Sequence, residues 1–187
     1  MIDKARRLIF IHIARTGGTS VETALVGQDW WNIDPLTKHI SASQTHQLYG
    51  EEIWGAFKKF STVRNPWDRV VSMWATGWWT ENNVPLEDGK SPTLREFVKK
   101  LQPHPNEKYN SLHYHNILDE KLDFILRYEH LQHDFSAMLK ASNLPDIVLP
   151  HLEGRTHGHY RTYFDDDTAA IIESLFKKDI QEYGYTF

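Results

Sequence analysis

The chain of 187 residues contains no cysteine, which excludes disulfides and thiolate metal sites and leaves the redox compartment open. Long apolar runs are also missing. The first run, Leu8–Ile13, is too short for a signal-peptide core and far below the roughly 20 residues that cross a membrane. Nor is there an excess of cations: a net charge of −4 and a pI near 6.2 give no general attraction to nucleic acid or an anionic membrane. Any anion must therefore be held by cations placed locally. No internal repeat or low-complexity stretch occurs. These absences predict a soluble, cytoplasmic protein. With 40% hydrophobic and 25% charged residues, the chain is long enough to form one domain, 1–187, around a sizeable core.

Against that background two segments stand out. In Phe10-Ile11-His12-Ile13-Ala14-Arg15-Thr16-Gly17-Gly18-Thr19-Ser20-Val21-Glu22, an apolar run stops at a turn of small residues bearing one cation, then continues as a helix. Gly17 and Gly18 let the backbone approach an anion closely, so that successive N–H groups and the positive helix end point at it. Arg15, Thr19 and Ser20 complete such a shell. A plain strand-to-helix turn is the alternative for this segment taken alone.

The second segment is Phe60-Ser61-Thr62-Val63-Arg64-Asn65-Pro66-Trp67-Asp68-Arg69-Val70-Val71-Ser72. A β-prone run delivers Arg64 to its end and a helix begins at once, with Asn65 as cap, Pro66 at the first position and Asp68 in the first turn. Asn65, Asp68, Arg69 and Ser72 recur at helical spacing, so Ser72 shares a face with the helix mouth.

Together the two segments resemble the carbohydrate-type sulfotransferases, which carry a Pro-Lys-Thr-Gly-Gly-Thr-Ser-like loop and, about fifty residues later, a Val-Arg-Asn-Pro-x-x-Arg-x-x-Ser segment. Leu126-Arg127-Tyr128-Glu129-His130-Leu131 and the stretch from Tyr160-Arg161-Thr162-Tyr163-Phe164 to Tyr183-Gly184-Tyr185 also resemble that branch. The resemblance implies a 3′-phosphoadenosine 5′-phosphosulfate donor. Its 5′-phosphosulfate would lie on Arg15, Thr16, Gly17, Gly18, Thr19 and Ser20, and its 3′-phosphate on Arg64 and Ser72. Arg155, in the late loop beside Tyr160 and Arg161, is a further donor contact. The implied reaction is in-line transfer to the hydroxyl of a saccharide, glycolipid or other small acceptor, a scheme that demands no metal. One departure is the loop itself, which has Arg15 and Ala14 where the family carries Lys and Pro. A guanidinium keeps the charge of an ammonium but not its geometry.

The base for the acceptor proton is read as His39, in Thr37-Lys38-His39-Ile40-Ser41, because histidine titrates near neutrality and this one lies between the phosphate segments. An ordinary surface histidine is the competing account. His46 and Glu22 are lesser candidates, Glu22 being explained by the helix dipole. Two rival functions stay open. An ATP-dependent P-loop phosphotransferase would want Gly-Lys-Ser/Thr where the chain has Gly18-Thr19-Ser20. A nucleotide-binding module without turnover would fit the Arg15 replacement.

Other features are read as structural. His113-x-His115 and His157-x-His159 lack a companion Cys or carboxylate at ligand spacing, and Trp74, Trp78 and Trp79 are either core or a sugar platform. Lys58 and Lys59 read as a solvated strand entry.

The fold expected is α/β, a three-layer P-loop-like arrangement with a mostly parallel sheet flanked by helices. Strands are predicted at Leu8–Ile13, Phe57–Val63 and Asp123–Leu126. Helices are predicted at Ser20–Val26, Ala42–Tyr49, Pro66–Trp78, Pro92–Leu101, Glu129–Ser142 and Asp165–Tyr183, with surface loops at Thr80–Lys90 and Gln102–Tyr109.

Overall fold

A computed structural model describes residues 1–77, 91–102, 112–150, 152 and 158–187. The chain divides into two compact units, Met1–Val63 with Tyr114–Glu153, and Arg64–His113 with Gly154–Phe187.

The first unit holds the sheet, ordered β1-β2-β3-β4. Strand β2 (Leu8–Ile11) pairs in parallel with β3 (Lys58–Val63), and β3 with β4 (Phe124–Arg127), while the short β1 (Ile2–Asp3) runs antiparallel to β2. The register sets Phe10 opposite Phe60, and Phe60 opposite Phe124. Every position of β2 is buried, which is why its sequence is a continuous apolar run and not an alternation. Leu8, Phe10, Phe60 and Leu126 form a core with Val21 and Leu25 of α1 (Gly18–Val26) and Phe135, Met138 and Leu139 of α6 (Leu131–Ala141). The α/β class with a mostly parallel sheet flanked by helices is as expected from the sequence.

Helix α2 (Ala42–Ala56) starts at a capping box between Ser41 and Gln44. The helix expected at 42–49 does break at Gly50, at φ 79° and ψ 163°, but a second helical stretch runs on to Ala56. Strand β2 stops two residues earlier than expected, at Ile11. Helix α6 also begins later than expected, after a 3-10 turn at Tyr128–His130.

The second unit is helical: α3 (Pro66–Ala75), α4 (Leu94–Lys100), α7 (Asp166–Leu175) and α8 (Lys177–Tyr183). The remaining short helix, α5 (Tyr114–Ile117), belongs to the first unit. Trp67, Val70, Val71, Met73, Phe97, Val98, Ile172 and Phe176 make the second core. The single helix expected over 165–183 is two helices, because Phe176, buried to 1% exposure, leaves helical geometry at φ −101° and ψ 20°. No Gly or Pro marks that break, so sequence alone could not show it. Gly184 terminates α8 in the left-handed region, as expected. Trp74 packs on this core and donates its indole N–H to the Pro92 carbonyl at 2.8 Å, which makes it a packing residue. Trp78 and Trp79 lie outside the described residues, as do the predicted loop at 80–90 and all but Gln102 of that at 102–109. No described helix is long and apolar enough to cross a membrane.

Candidate active site

The loop after β2 is built on two backbone reversals, with Arg15 at φ 66° and Gly17 at φ 85°. Between them Thr16 is fully buried and pins the turn from below. Its Oγ1 donates to the Ile13 carbonyl at 2.7 Å and shares a 2.6 Å hydrogen bond with Thr62 Oγ1 of β3. The Thr16 hydroxyl is thereby committed to the scaffold, and its backbone N–H is what remains for a ligand. Helix α1 starts at Gly18, two residues before the expected Ser20, and Gly17 at its N-cap provides no side-chain hydrogen bond. An uncapped first turn presents N–H groups and the positive end of the helix dipole. Thr19 and the half-buried Arg15 flank it, and Ser20 Oγ accepts from the Leu152 N–H at 3.4 Å.

Both glycines are sterically required. A Cβ on Gly17 would lie 2.7 Å from Leu131 Cδ2, and one on Gly18 only 2.5 Å from His12 Nε2. Gly18→Ala must therefore displace the His12 ring, and is expected to reduce unfolding free energy by about 1–3 kcal/mol in urea titrations, the range for overpacking. Gly55→Ala, whose Cβ meets nothing within 4 Å in α2, should be neutral or stabilising.

Beneath the loop lies a polar cluster that the sequence did not single out. His12, 4% exposed, donates from Nδ1 to Glu22 Oε1 at 2.6 Å. Glu22, itself fully buried, accepts at Oε2 from Lys38 Nζ at 2.9 Å and from the Trp30 N–H at 3.2 Å. Lys38, 2% exposed, also pairs with Asp29. Burial pushes the His12 imidazole below its ordinary value in spite of the Glu22 carboxylate, so it is a neutral donor. Burial by itself would raise Glu22, but the hydrogen bond from His12 and the nearby His12 and Lys38 groups bring it down to about 2. The dipole account of Glu22 is thus replaced. The residue is an ionised hub and not an exposed first-turn acid.

His39 sits beside this hub. Its Nδ1 lies 3.4 Å from the His12 carbonyl, and its ring meets the His12 ring edge-on at 4.8 Å between centroids. Burial foremost, and then the neighbouring His12, lower its pKa to about 3, so the imidazole is neutral at physiological pH. An Nδ1–H donated to the carbonyl leaves Nε2 as the lone-pair nitrogen. His46 is occupied otherwise, with Nδ1 at 3.0 Å from Glu120, Nε2 at 2.9 Å from Glu51, and its ring stacked on Trp54. Desolvation opposes its charge, but those two carboxylates raise it above the usual histidine range.

Within the second unit, Asn65 caps α3 through hydrogen bonds from the N–H groups of Trp67 and Asp68, with Pro66 at the first position as expected. Its amide also donates to the Tyr160 hydroxyl at 3.4 Å and the Thr186 carbonyl at 3.0 Å. Arg64 is buried, and its Nε donates to Asp68 Oδ2 at 2.7 Å. Ser72 is buried on the same helix. Arg69, with no exposed surface, donates to the Leu112 carbonyl at 2.6 Å, a structural tie. Arg161 pairs with the Phe187 carbonyl and lies over its ring.

His113 does have a carboxylate near it, Asp179 at 3.7 Å, which adjacency in sequence could not show. Lys59 is not simply a solvated strand entry either: it is mostly buried, and its Nζ donates to the Trp54 and Phe57 carbonyls at 3.1 Å. Arg155 and His157 lie outside the described residues.

A family model described as "Sulfotransferase family" matches residues 1–186. No curated protein and no solved structure matches the chain significantly.

Proposed function

Because the chain belongs to the sulfotransferase family over essentially its whole length, we propose that it moves a sulfuryl group from 3′-phosphoadenosine 5′-phosphosulfate to a hydroxyl of a saccharide or glycolipid. The observation that carries this reading is the uncapped start of α1 beneath a loop of two left-handed residues, a cradle of N–H groups beside the Arg15 cation. This loop takes the 5′-phosphosulfate. Arg64 and Ser72 take the 3′-phosphate, with Arg155 as an added contact.

In the transfer, the acceptor oxygen bonds to sulfur as the bond from sulfur to the bridging phosphate oxygen breaks. Arg15 and the N–H groups of residues 16–19 meet the charge that departs with the phosphate, the Ser20 N–H being held by the Gly17 carbonyl at 3.2 Å. His39 Nε2 receives the acceptor proton. The scheme demands no metal, because the protein's own cations and dipoles supply the charge stabilisation.

The test is calorimetric titration with adenosine 3′,5′-bisphosphate, ADP and ATP, with and without Mg²⁺. Preference for the 3′,5′-bisphosphate independent of metal supports the reading, whereas metal-dependent preference for ATP overturns it in favour of phosphoryl transfer. Arg64→Ala should weaken adenosine 3′,5′-bisphosphate by about 10- to 150-fold, the scale of a charge-assisted hydrogen bond, and leave adenosine 5′-monophosphate almost unchanged. Equal losses for both nucleotides would remove Arg64 from this role.

Arg15 favours one second reading, a donor-binding module without turnover. Transfer of radiolabelled sulfate to any acceptor by the native chain excludes it.

A further inference from the structure

The segment between the loop and His39 displays apolar side chains that the sheet core does not use. Trp31 is 50% exposed, Ile33 42% and Leu36 71%, although the adjacent Trp30 is buried. This display is held from inside. The Asp29 side chain accepts from the Trp31 N–H at 2.7 Å, and Lys38 holds Asp29 in turn. Trp30 donates its indole N–H to Thr37 Oγ1 at 2.9 Å, and Thr37 donates to Asp34 Oδ2 at 2.9 Å. Asp34 also caps the Pro35–Thr37 turn. A large aromatic held in water by a set of polar ties is costly unless something covers it.

Two further observations say what covers it. The Trp31 ring lies 5.6 Å from the His39 ring and 5.7 Å below Lys38 Nζ, so the platform is continuous with the histidine read as the base. Its charge is also one-sided: over residues 27–37 the only charged side chains are Asp29 and Asp34, and Lys38 is buried against carboxylates. Lys38, the cation beside the Trp31 ring, is 2% exposed and already bridged to Glu22 and Asp29, so an anionic saccharide finds no accessible cation over residues 27–38 and meets the Asp34 carboxylate instead.

We infer that Trp31, Ile33 and Leu36 form the acceptor subsite, and that it selects an uncharged glycoside carrying an apolar aglycone. The sugar ring lies over Trp31 with a hydroxyl toward His39, and the aglycone lies over Ile33 and Leu36. This rests on the sulfotransferase reading above and deepens it.

The test uses the full chain saturated with adenosine 3′,5′-bisphosphate and three probes: phenyl β-D-glucoside, methyl β-D-glucoside and phenyl β-D-glucuronide. Affinities are read by saturation-transfer NMR. The phenyl glucoside is expected to bind about tenfold tighter than either of the others. Trp31→Ala should cost it about tenfold and leave adenosine 3′,5′-bisphosphate within about twofold, while Leu36→Ser narrows the gap between phenyl and methyl glucosides. The inference is overturned if no glycoside binds, if the glucuronide binds best, or if Trp31→Ala only converts a dimer to a monomer in sedimentation. Failure of the nucleotide to bind, with Trp31-dependent glycoside binding retained, would instead overturn the donor assignment and leave the subsite standing.

Discussion

Replacing Glu22 by alanine is expected to cost the folded state about 3–5 kcal/mol, the range for removing one partner of a buried ion pair. The reason is the number of groups that lose their counterpart at once. Lys38, 2% exposed, keeps only Asp29, and His12 and the Trp30 N–H lose their acceptor. Urea unfolding measures the loss. Lys38→Met in the Glu22→Gln background should recover part of it, because the buried ammonium goes with its buried carboxylate and the Asp29 that then loses Lys38 is 23% exposed. A cost below about 1 kcal/mol for Glu22→Ala would place the hub in solvent, where such pairs contribute little.

The same cluster sets the acid side of the stability profile. Glu22 has a folded pKa of about 2 against an ordinary 4.5, so its contribution is complete above 4.5 and is lost as pH falls through to about 2. His39 and His12 are depressed below 6.5, His39 to about 3. For these the unfolded chain takes up protons first, so stability falls as pH drops below 6.5 toward 3. Both effects have the same sign, and stability should decline continuously on acidification from about pH 6.5. In Glu22→Ala the lower part of that decline should flatten.

His39→Ala should reduce sulfuryl transfer by about 10²- to 10⁴-fold, the usual worth of a positioned base. Affinity for adenosine 3′,5′-bisphosphate should stay unchanged, since the imidazole is assigned to the acceptor. The pH profile adds a second signature. A histidine held near 3 remains a proton acceptor throughout the neutral range, so the native rate should show no His39 limb near 6.5. Such a weak base still serves because the attacking oxygen becomes far more acidic once its bond to sulfur forms. Turnover retained in His39→Ala would refute the assignment.

Local sequence carried a large part of the fold. The Asn65-Pro66 start of α3, the Ser41 start of α2 and the Gly184 stop are short-range chemistry, complete within a few residues, and they stand as the pattern implied. The parallel pairing of β2, β3 and β4 followed from β-prone runs each succeeded by a helical pattern. Less visible were the breaks with no local cause. Phe176 interrupts the last helical region because its ring belongs in the core, and periodicity runs through it unchanged.

The loop glycines, the adjacent cation and the order of the two segments proposed to hold the donor were set by residue type and spacing, because φ preference and helix polarity are properties of the chain itself. The tertiary structure alone decided the state of the polar side chains. Residues 12, 22, 29 and 38 are scattered in sequence and meet only when β2, α1 and the following turns pack. Whether Glu22 is an exposed first-turn acid or an ionised hub, and whether His39 titrates near 6.5 or near 3, depends on how much water is removed around each group and which charge replaces it.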